Sequence, residues 1–254
     1  MHKAIRWQKI HEIIQNYGNA EVDELAKELL VSEMTIRRDL TAMMGQGLIE
    51  RTHGGAVLAK ERNLLQSPIL LRLYENNEEK RAIAGAVARM IKHNEKIYIA
   101  AGTTTYWVAK EIANRSDLTV VTNSLPVANL LALSKDMEVI VVGGFLRRNE
   151  YSMVGHFAES MVHDLRLDKV IMGVGGVHPD YGLTNAYPQE MMMDRSYLGM
   201  SDRIVVVADH TKIGRIATSR TADISAAHQI VTTHLAPLDI VERIRAQGVE
   251  VVLV

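Results

Sequence analysis

Residues 32–40 read "SEMTIRRDL" and set two adjacent arginines in the first half of a short helical pattern. Ser32 suits the N-cap, because its hydroxyl can accept a hydrogen bond from an otherwise unpaired N–H of the first turn. At ~100° per residue about the helix axis, Ile36, Leu40 and Met43 fall on one side and Met34, Arg37, Arg38 and Thr41 on the other. One face is apolar and suited to a core. The other holds two cations between a methionine and a threonine. A solvated surface can carry such a pair, and so can a helix built to enter a DNA major groove. The flanking sequence decides between them.

Upstream, Ile10, Ile13, Ile14 and Tyr17 recur at i, i+3, i+4 and i+7, the spacing of an amphipathic helix, and Gly18-Asn19 ends it. A second short helix follows, with Val22, Leu25, Ala26 and Leu29 on one face and Asp23, Glu24 and Glu28 on the other. Leu30-Val31-Ser32 connects it tightly to the arginine helix, whose pattern Gly45 and Gly47 break. "LIERTHGGAVL", residues 48–58, then reads as two short strands around a His-Gly-Gly turn. Three helices followed by a β-hairpin make a winged helix-turn-helix. The candidate DNA contacts are Ser32, Met34, Thr35, Arg37, Arg38 and Thr41 on the helix, with Arg51 and His53 on the wing.

Residues Asp23 to Val57, with "DELAKELLVSEMTIRRDL" followed by "GLIERTHGGAV", resemble the DNA-binding domain of the DeoR family of bacterial sugar-metabolism regulators. One departure is Glu21 at the start of the second helix, where such proteins more often place Ser or Thr as the cap.

The chain has 254 residues, 47% of them hydrophobic, enough for a large core and a small domain besides. Its net charge of -1 does not by itself point to nucleic acid. The distribution is more informative. Residues 1–60 hold eight Lys or Arg and eight Asp or Glu, yet residues 21–30 carry four acids and one Lys, and residues 34–60 four bases and two acids. Positive charge is therefore gathered on the reading helix and wing, where phosphate contacts need it. The absence of cysteine excludes disulfides and thiolate metal sites. No signal pattern or long apolar span is evident, so a soluble cytoplasmic protein without a membrane partner is expected.

The expected division is a winged helix-turn-helix over residues 1–59, a hinge over 60–77 and an effector-sensing domain over 78–254. Ser67-Pro68 interrupts the hinge and "ENNEEK" is a polar run, but Ile69, Leu70, Leu71, Leu73 and Tyr74 should pack against something. Beyond it, strand-like runs at residues 97–100, 118–121, 139–142, 169–172, 204–208, 229–231 and 249–254 alternate with helical stretches such as 80–91, 106–112, 125–133 and 238–246. That alternation predicts an α/β, Rossmann-like domain with a mostly parallel sheet covered on both faces.

Ligands of such sheets bind beyond the carboxyl ends of the strands. Those positions here read "AAGTTT" (100–105), "TNS" (122–124), Gly143-Gly144, "GVGG" (173–176) and "DHTK" (209–212). Glycine followed by hydroxyls at a helix N-terminus is a natural anion site, since unpaired N–H groups and the helix dipole both favour phosphate. The candidate effector contacts are Gly102, Thr103, Thr104, Thr105, Asn123, Gly144, Asp209 and Lys212. Asn123 is expected to be available to a sugar hydroxyl, and Asp209 to order its loop and Lys212.

The resemblance extends over this region. The regulatory domain of the DeoR family is similar to ribose-phosphate isomerases, glucosamine-phosphate deaminases and CoA transferases, which implies a sensor of phosphorylated sugars. Gly102 to Thr105, Thr122-Asn123-Ser124, Gly143-Gly144 and Asp209 with Lys212 match its motifs, whereas Ala100-Ala101 stands where an acidic residue often precedes the Gly-Thr-Thr. Arg72 resembles an arginine common at that point of the family.

Other constellations carry less. None of the ten histidines forms an i, i+4 pair backed by a helix-borne carboxylate, so neither a metal nor a cofactor is expected. Met191-Met192-Met193 reads as adaptable packing. Glu190 and Asp209 could act as acid and base on a sugar phosphate, but no motif places them together, and no catalytic residue is assigned. The sequence thus predicts a regulator, a repressor in mode, whose partners are a double-stranded DNA operator and a phosphorylated sugar. A homo-oligomer is expected, because helix-turn-helix readers usually engage two half-sites. The alternative is a sugar-phosphate isomerase or deaminase with an appended DNA-binding domain.

Overall fold

The computed structural model describes residues 3–45, 48–52, 54–58, 69–73, 75–134 and 136–254. It divides into two compact units, residues 1–75 and 76–254. The first contains α1 (Lys3–Tyr17), β1 (Asn19–Glu21), α2 (Val22–Glu28), α3 (Glu33–Gly45), β2 (Ile49–Arg51), β3 (Gly55–Leu58) and α4 (Ile69–Arg72). Its core is built from the faces the periodicity marks: Ile10 and Ile14 of α1, Val22 and Leu25 of α2, and Ile36, Leu40 and Met43 of α3, joined by Trp7 and Leu29. Each such aliphatic side chain stabilises the fold by about 1.5–3 kcal/mol relative to exposure. Gly18 ends α1 with φ +83°, a conformation other residues adopt only at a cost.

The wing is a three-stranded antiparallel sheet of order β1-β3-β2, not the two strands read from sequence. β1 has three residues, one of them buried, which is too short to show a period. Gly55 is required where β3 crosses it: a Cβ there would lie 2.0 Å from the Ala20 carbonyl oxygen. Within the same unit Ile69 and Leu73 are buried, and α4 packs against α1. Of the apolar hinge residues, Tyr74 lies outside the described residues.

The second unit opens with α5 (Asn77–Met90) and continues β4 (Lys96–Ile99), α6 (Thr103–Ile112), β5 (Thr119–Thr122), α7 (Leu125–Leu131) and β6 (Glu138–Val141). There follow β7 (Phe145–Arg147), β8 (Ser152–Val154), α8 (His156–His163), β9 (Lys169–Gly173), β10 (Gly176–His178), β11 (Gly182–Asn185) and α9 (Pro188–Tyr197). The unit ends with β12 (Ile204–Val207), β13 (Ser219–Ala222), β14 (Gln229–Thr232), α10 (Leu238–Arg245) and β15 (Glu250–Leu253).

The seven runs read as strands become one parallel sheet of order β15-β14-β12-β9-β4-β5-β6. The chain builds outward from β4 through β5 to β6, then returns to the other side of β4 with β9. The order therefore reverses between β4 and β9, and doubly wound sheets take ligands at the carboxyl ends of the strands where this happens. The β7–β8 hairpin and the small antiparallel sheet β10-β11-β13 stand apart from the main sheet. Among the described residues no helix is long and apolar enough to cross a membrane.

Candidate functional site

The arginine helix is organised as its sequence predicts. Ser32 caps α3: its Oγ accepts from the Thr35 N–H at 3.3 Å and lies 2.9 Å from the Thr35 hydroxyl. Ile36, Leu40 and Met43 are fully buried, while Met34, Arg37, Arg38 and Thr41 are exposed. Arg37 donates to Glu33 one turn back at 3.2 Å, so its guanidinium is steered along the helix. Arg38 makes no ion pair among the described residues and can swing to a phosphate or a base edge. Thr41 donates its hydroxyl to the Arg37 carbonyl at 2.7 Å, which leaves its oxygen as an acceptor for an outside partner. Arg51 is half-buried at the end of β2, and His53 lies outside the described residues.

The acid that follows the two arginines has a different task. Asp39 is buried, accepts from Arg6 Nε, and accepts from Trp7 Nε1 at 2.9 Å. One carboxylate thus fixes α3 against α1 and sets the angle at which the arginine face is presented. Asp39 falls at the i+3 position of the buried face formed by Ile36, Leu40 and Met43, so its place in the periodicity was legible, whereas its partners on α1 were not.

In the second unit, Gly102 is the N-cap of α6 and supplies no side-chain cap. The first N–H groups of any α-helix lack partners within the helix, and those of residues 103–105 receive no side-chain cap from Gly102, just past the carboxyl end of β4. The next helix differs: Ser124 closes the N-terminus of α7 by accepting from the Val127 N–H at 3.4 Å. Of the three threonines, Thr103 is half-buried, Thr104 is buried, and Thr105 is fully buried. The Thr105 hydroxyl donates to the Gly102 carbonyl at 3.0 Å. It shapes the cap and is not offered to a ligand, a correction to the expected role of its side chain.

Asn123 requires a second correction. Its Oδ1 accepts from the Ala101 N–H at 3.1 Å and its Nδ2 donates to the Met153 carbonyl at 2.9 Å, with the residue buried. The amide is engaged in joining the loop after β4 to the β7–β8 hairpin, and is not free for a sugar hydroxyl. Gly144 has a packing reason to be glycine, since a Cβ there would lie 2.8 Å from the Val154 carbonyl oxygen. Asp209 accepts from both the N–H (3.0 Å) and the hydroxyl of Thr211 and so caps the 3-10 turn His210–Lys212, the ordering role expected of it. Lys212 is half-buried in that turn. Only β9 separates β12 from β4, so the turn and the α6 N-terminus follow strands that are two spacings, about 10 Å, apart across the sheet.

A buried polar cluster beside this edge was not anticipated. Arg147 of β7 pairs with Glu190 of α9 and lies 4.1 Å from the centre of the Tyr187 ring. Asn185 donates to Asp194 at 2.7 Å. Glu190, considered above as an acid–base group, is thus held in an ion pair with the hairpin. Met193 is buried and Met192 exposed, so the methionine run is divided between core and surface.

Burial raises the Asp194 carboxyl to about 7, against the opposing effects of the Asn185 amide and the Arg147 charge. The folded state therefore keeps a proton that the unfolded chain releases near pH 4. The stabilisation is complete below about pH 4 and is lost as pH rises through about 7. Urea melts of D194N, which retains an acceptor for Asn185, should lack this fall in stability between pH 5 and 8. The parent should lose on the order of 4 kcal/mol over its full titration. Parallel pH profiles for the two proteins would contradict this assignment.

Comparison with known proteins gives both units the same affiliation. Residues 6–62 match the model of the DeoR-like helix-turn-helix domain, and residues 75–234 that of the DeoR C terminal sensor domain. The chain is 34% identical to the HTH-type transcriptional repressor CsqR of Escherichia coli K12, over 98% of this chain and 94% of that protein. It is 33% identical to the glycerol-3-phosphate regulon repressor of the same organism, over 95% of each. Among solved structures, ribose 5-phosphate isomerase A from Methanocaldococcus jannaschii aligns with 54% of this chain and 55% of its own, at 16% identity and a TM-score of 0.39.

Proposed function

The chain belongs to the DeoR family of DNA-binding transcriptional regulators, and from that premise we propose that a phosphorylated sugar held at the α6 N-terminus changes its grip on an operator. It is a regulator, not an enzyme, and its relatives are named as repressors. Repression is the reading those names favour, an operon for sugar use follows from the effector proposed, and both account for a sensor without an assigned catalytic group. The regulated unit is a homo-oligomer, because one reading helix spans one half-site.

The observation that carries the effector half is the uncapped α6 N-terminus at the reversal of strand order. Backbone N–H groups of residues 103–105 take the phosphate, Thr103 adds a hydroxyl, and Lys212 supplies the opposing charge. Arg37 and Arg38 divide the contacts to base edges and phosphates, flanked by Met34 and Thr41. The domains follow the division given above, with the sensor beginning near α5.

Titration calorimetry with a panel of sugar phosphates tests the cradle. K212A should weaken binding of the best member by about 1.5–3 kcal/mol, the worth of one charge-assisted hydrogen bond, while DNA affinity without effector stays at the parent value. Unchanged affinity would remove Lys212 from the site. Recovery of the sugar phosphate unaltered separates a sensor from an isomerase or deaminase.

A further inference from the structure

We propose that Glu79 is the positioning residue through which the effector-bearing turn controls the start of the sensor, and hence DNA affinity. The inference rests on the effector reading above. Glu79 stands in the first turn of α5, just past the division between the two units after Glu75. Its carboxylate takes three hydrogen bonds. Oε1 lies 2.7 Å from His210 Nδ1, while Oε2 accepts from the His210 N–H at 3.3 Å and from the Thr233 hydroxyl at 2.6 Å.

His210 opens the 3-10 turn that carries Lys212, and Thr233 directly follows β14. One side chain therefore ties the beginning of α5 to the carboxyl ends of two neighbouring strands, β12 and β14. The far end of the same turn is fixed as well, because the Gly214 N–H donates to the Val177 carbonyl at 2.8 Å. The turn is held between Asp209, Glu79 and Val177, and Glu79 is the one of these three that belongs to the helix leading from the DNA-binding unit.

A carboxylate with three partners has little orientational freedom, so displacement of His210 moves Glu79, and with it the first turn of α5. Coupling needs an element that both sites bias, and this turn supplies it. An anion drawn to Lys212 acts on one end, and the chain leading back to the reading helix is joined to the other. For a purely local brace, loss of Glu79 would weaken effector binding. For a coupler, it leaves both binding events intact and removes the link between them.

The experiment compares the full-length parent with E79A, E79Q and H210A. The probe is the sugar phosphate that most raises the parent's melting temperature, with inorganic phosphate as a control. Calorimetry should show probe affinity close to the parent's in E79A, and operator affinity without probe should also be unchanged. The parent's operator affinity should shift by about tenfold or more with probe, and E79A should show almost no shift. E79Q keeps one carbonyl acceptor for His210 and should recover part of the response, and H210A should behave like E79A.

Amide exchange without ligand reads the same tie independently. In E79A, the N–H groups of Lys212 and Ile213 and those of the first residues after the opening turn of α5 should lose protection together. A parent-like operator response in E79A overturns the inference, as does loosening confined to one of the two segments. A parent that answers to no sugar phosphate overturns the effector reading and the control assigned to Glu79. Exchange then still reports whether the tie itself exists.

Discussion

D39A is expected to destabilise the DNA-binding unit by about 3–5 kcal/mol, the usual cost of removing one member of a buried ion pair. The variant removes the carboxylate to which Arg6 Nε donates, beside a guanidinium side chain only 10% exposed, and leaves the Trp7 indole N–H without this acceptor. A unit of this size has a total stability of only about 4–11 kcal/mol, so much of that margin disappears. D39N keeps the shape and one acceptor and should lose less. Operator binding should fail in D39A although Asp39 does not face outward, because the angle of α3 is no longer set. Urea unfolding followed by Trp7 fluorescence, in a W107F background, reads the effect. A loss below about 1 kcal/mol would place Asp39 among surface pairs.

R37A and R38A are expected to lose about 1–3 kcal/mol each of operator binding, with different signatures. An arginine that reads a base edge relaxes specificity at one position, and one that meets phosphate weakens all sequences alike and lowers the salt slope. Arg38, with no ion pair among the described residues, should give the larger salt effect. Arg37 must exchange its contact with Glu33 for one with DNA, so E33A should partly offset losses elsewhere on the helix. Anisotropy titrations at several salt concentrations distinguish the two. Parent-like binding by both variants would remove α3 from the reading role.

Local periodicity carried most of the fold. Ile36, Leu40 and Met43 share one helical face and lie in the core together, and the strand runs reappear in the parallel sheet, with the central β4, β9 and β12 buried on both faces as their apolar runs specify. Capping was legible too, at Ser32 and Asp209, since those side chains act on backbone a few residues away.

What sequence could not show were partners distant along the chain. Asp39 with Arg6, Asn123 with Met153, Arg147 with Glu190 and Glu79 with His210 each join elements that only the folded chain brings together. Residue type at the strand ends marked a polar carboxyl edge of the sheet. It did not distinguish Thr103, which is half-buried, from Thr105 and Asn123, which are engaged in building the loops. The β7–β8 hairpin escaped notice because strands of three residues show no alternation.

The most direct test of an effector-controlled DNA reader is the operator affinity of the full chain, with and without a sugar phosphate. The DNA site is one selected from a random pool, and affinity is read by anisotropy. The expected result is specific, salt-sensitive binding that one sugar phosphate shifts by about tenfold or more, with that compound recovered unchanged. Binding that no member of the panel moves, or consumption of the compound by the protein, would contradict it.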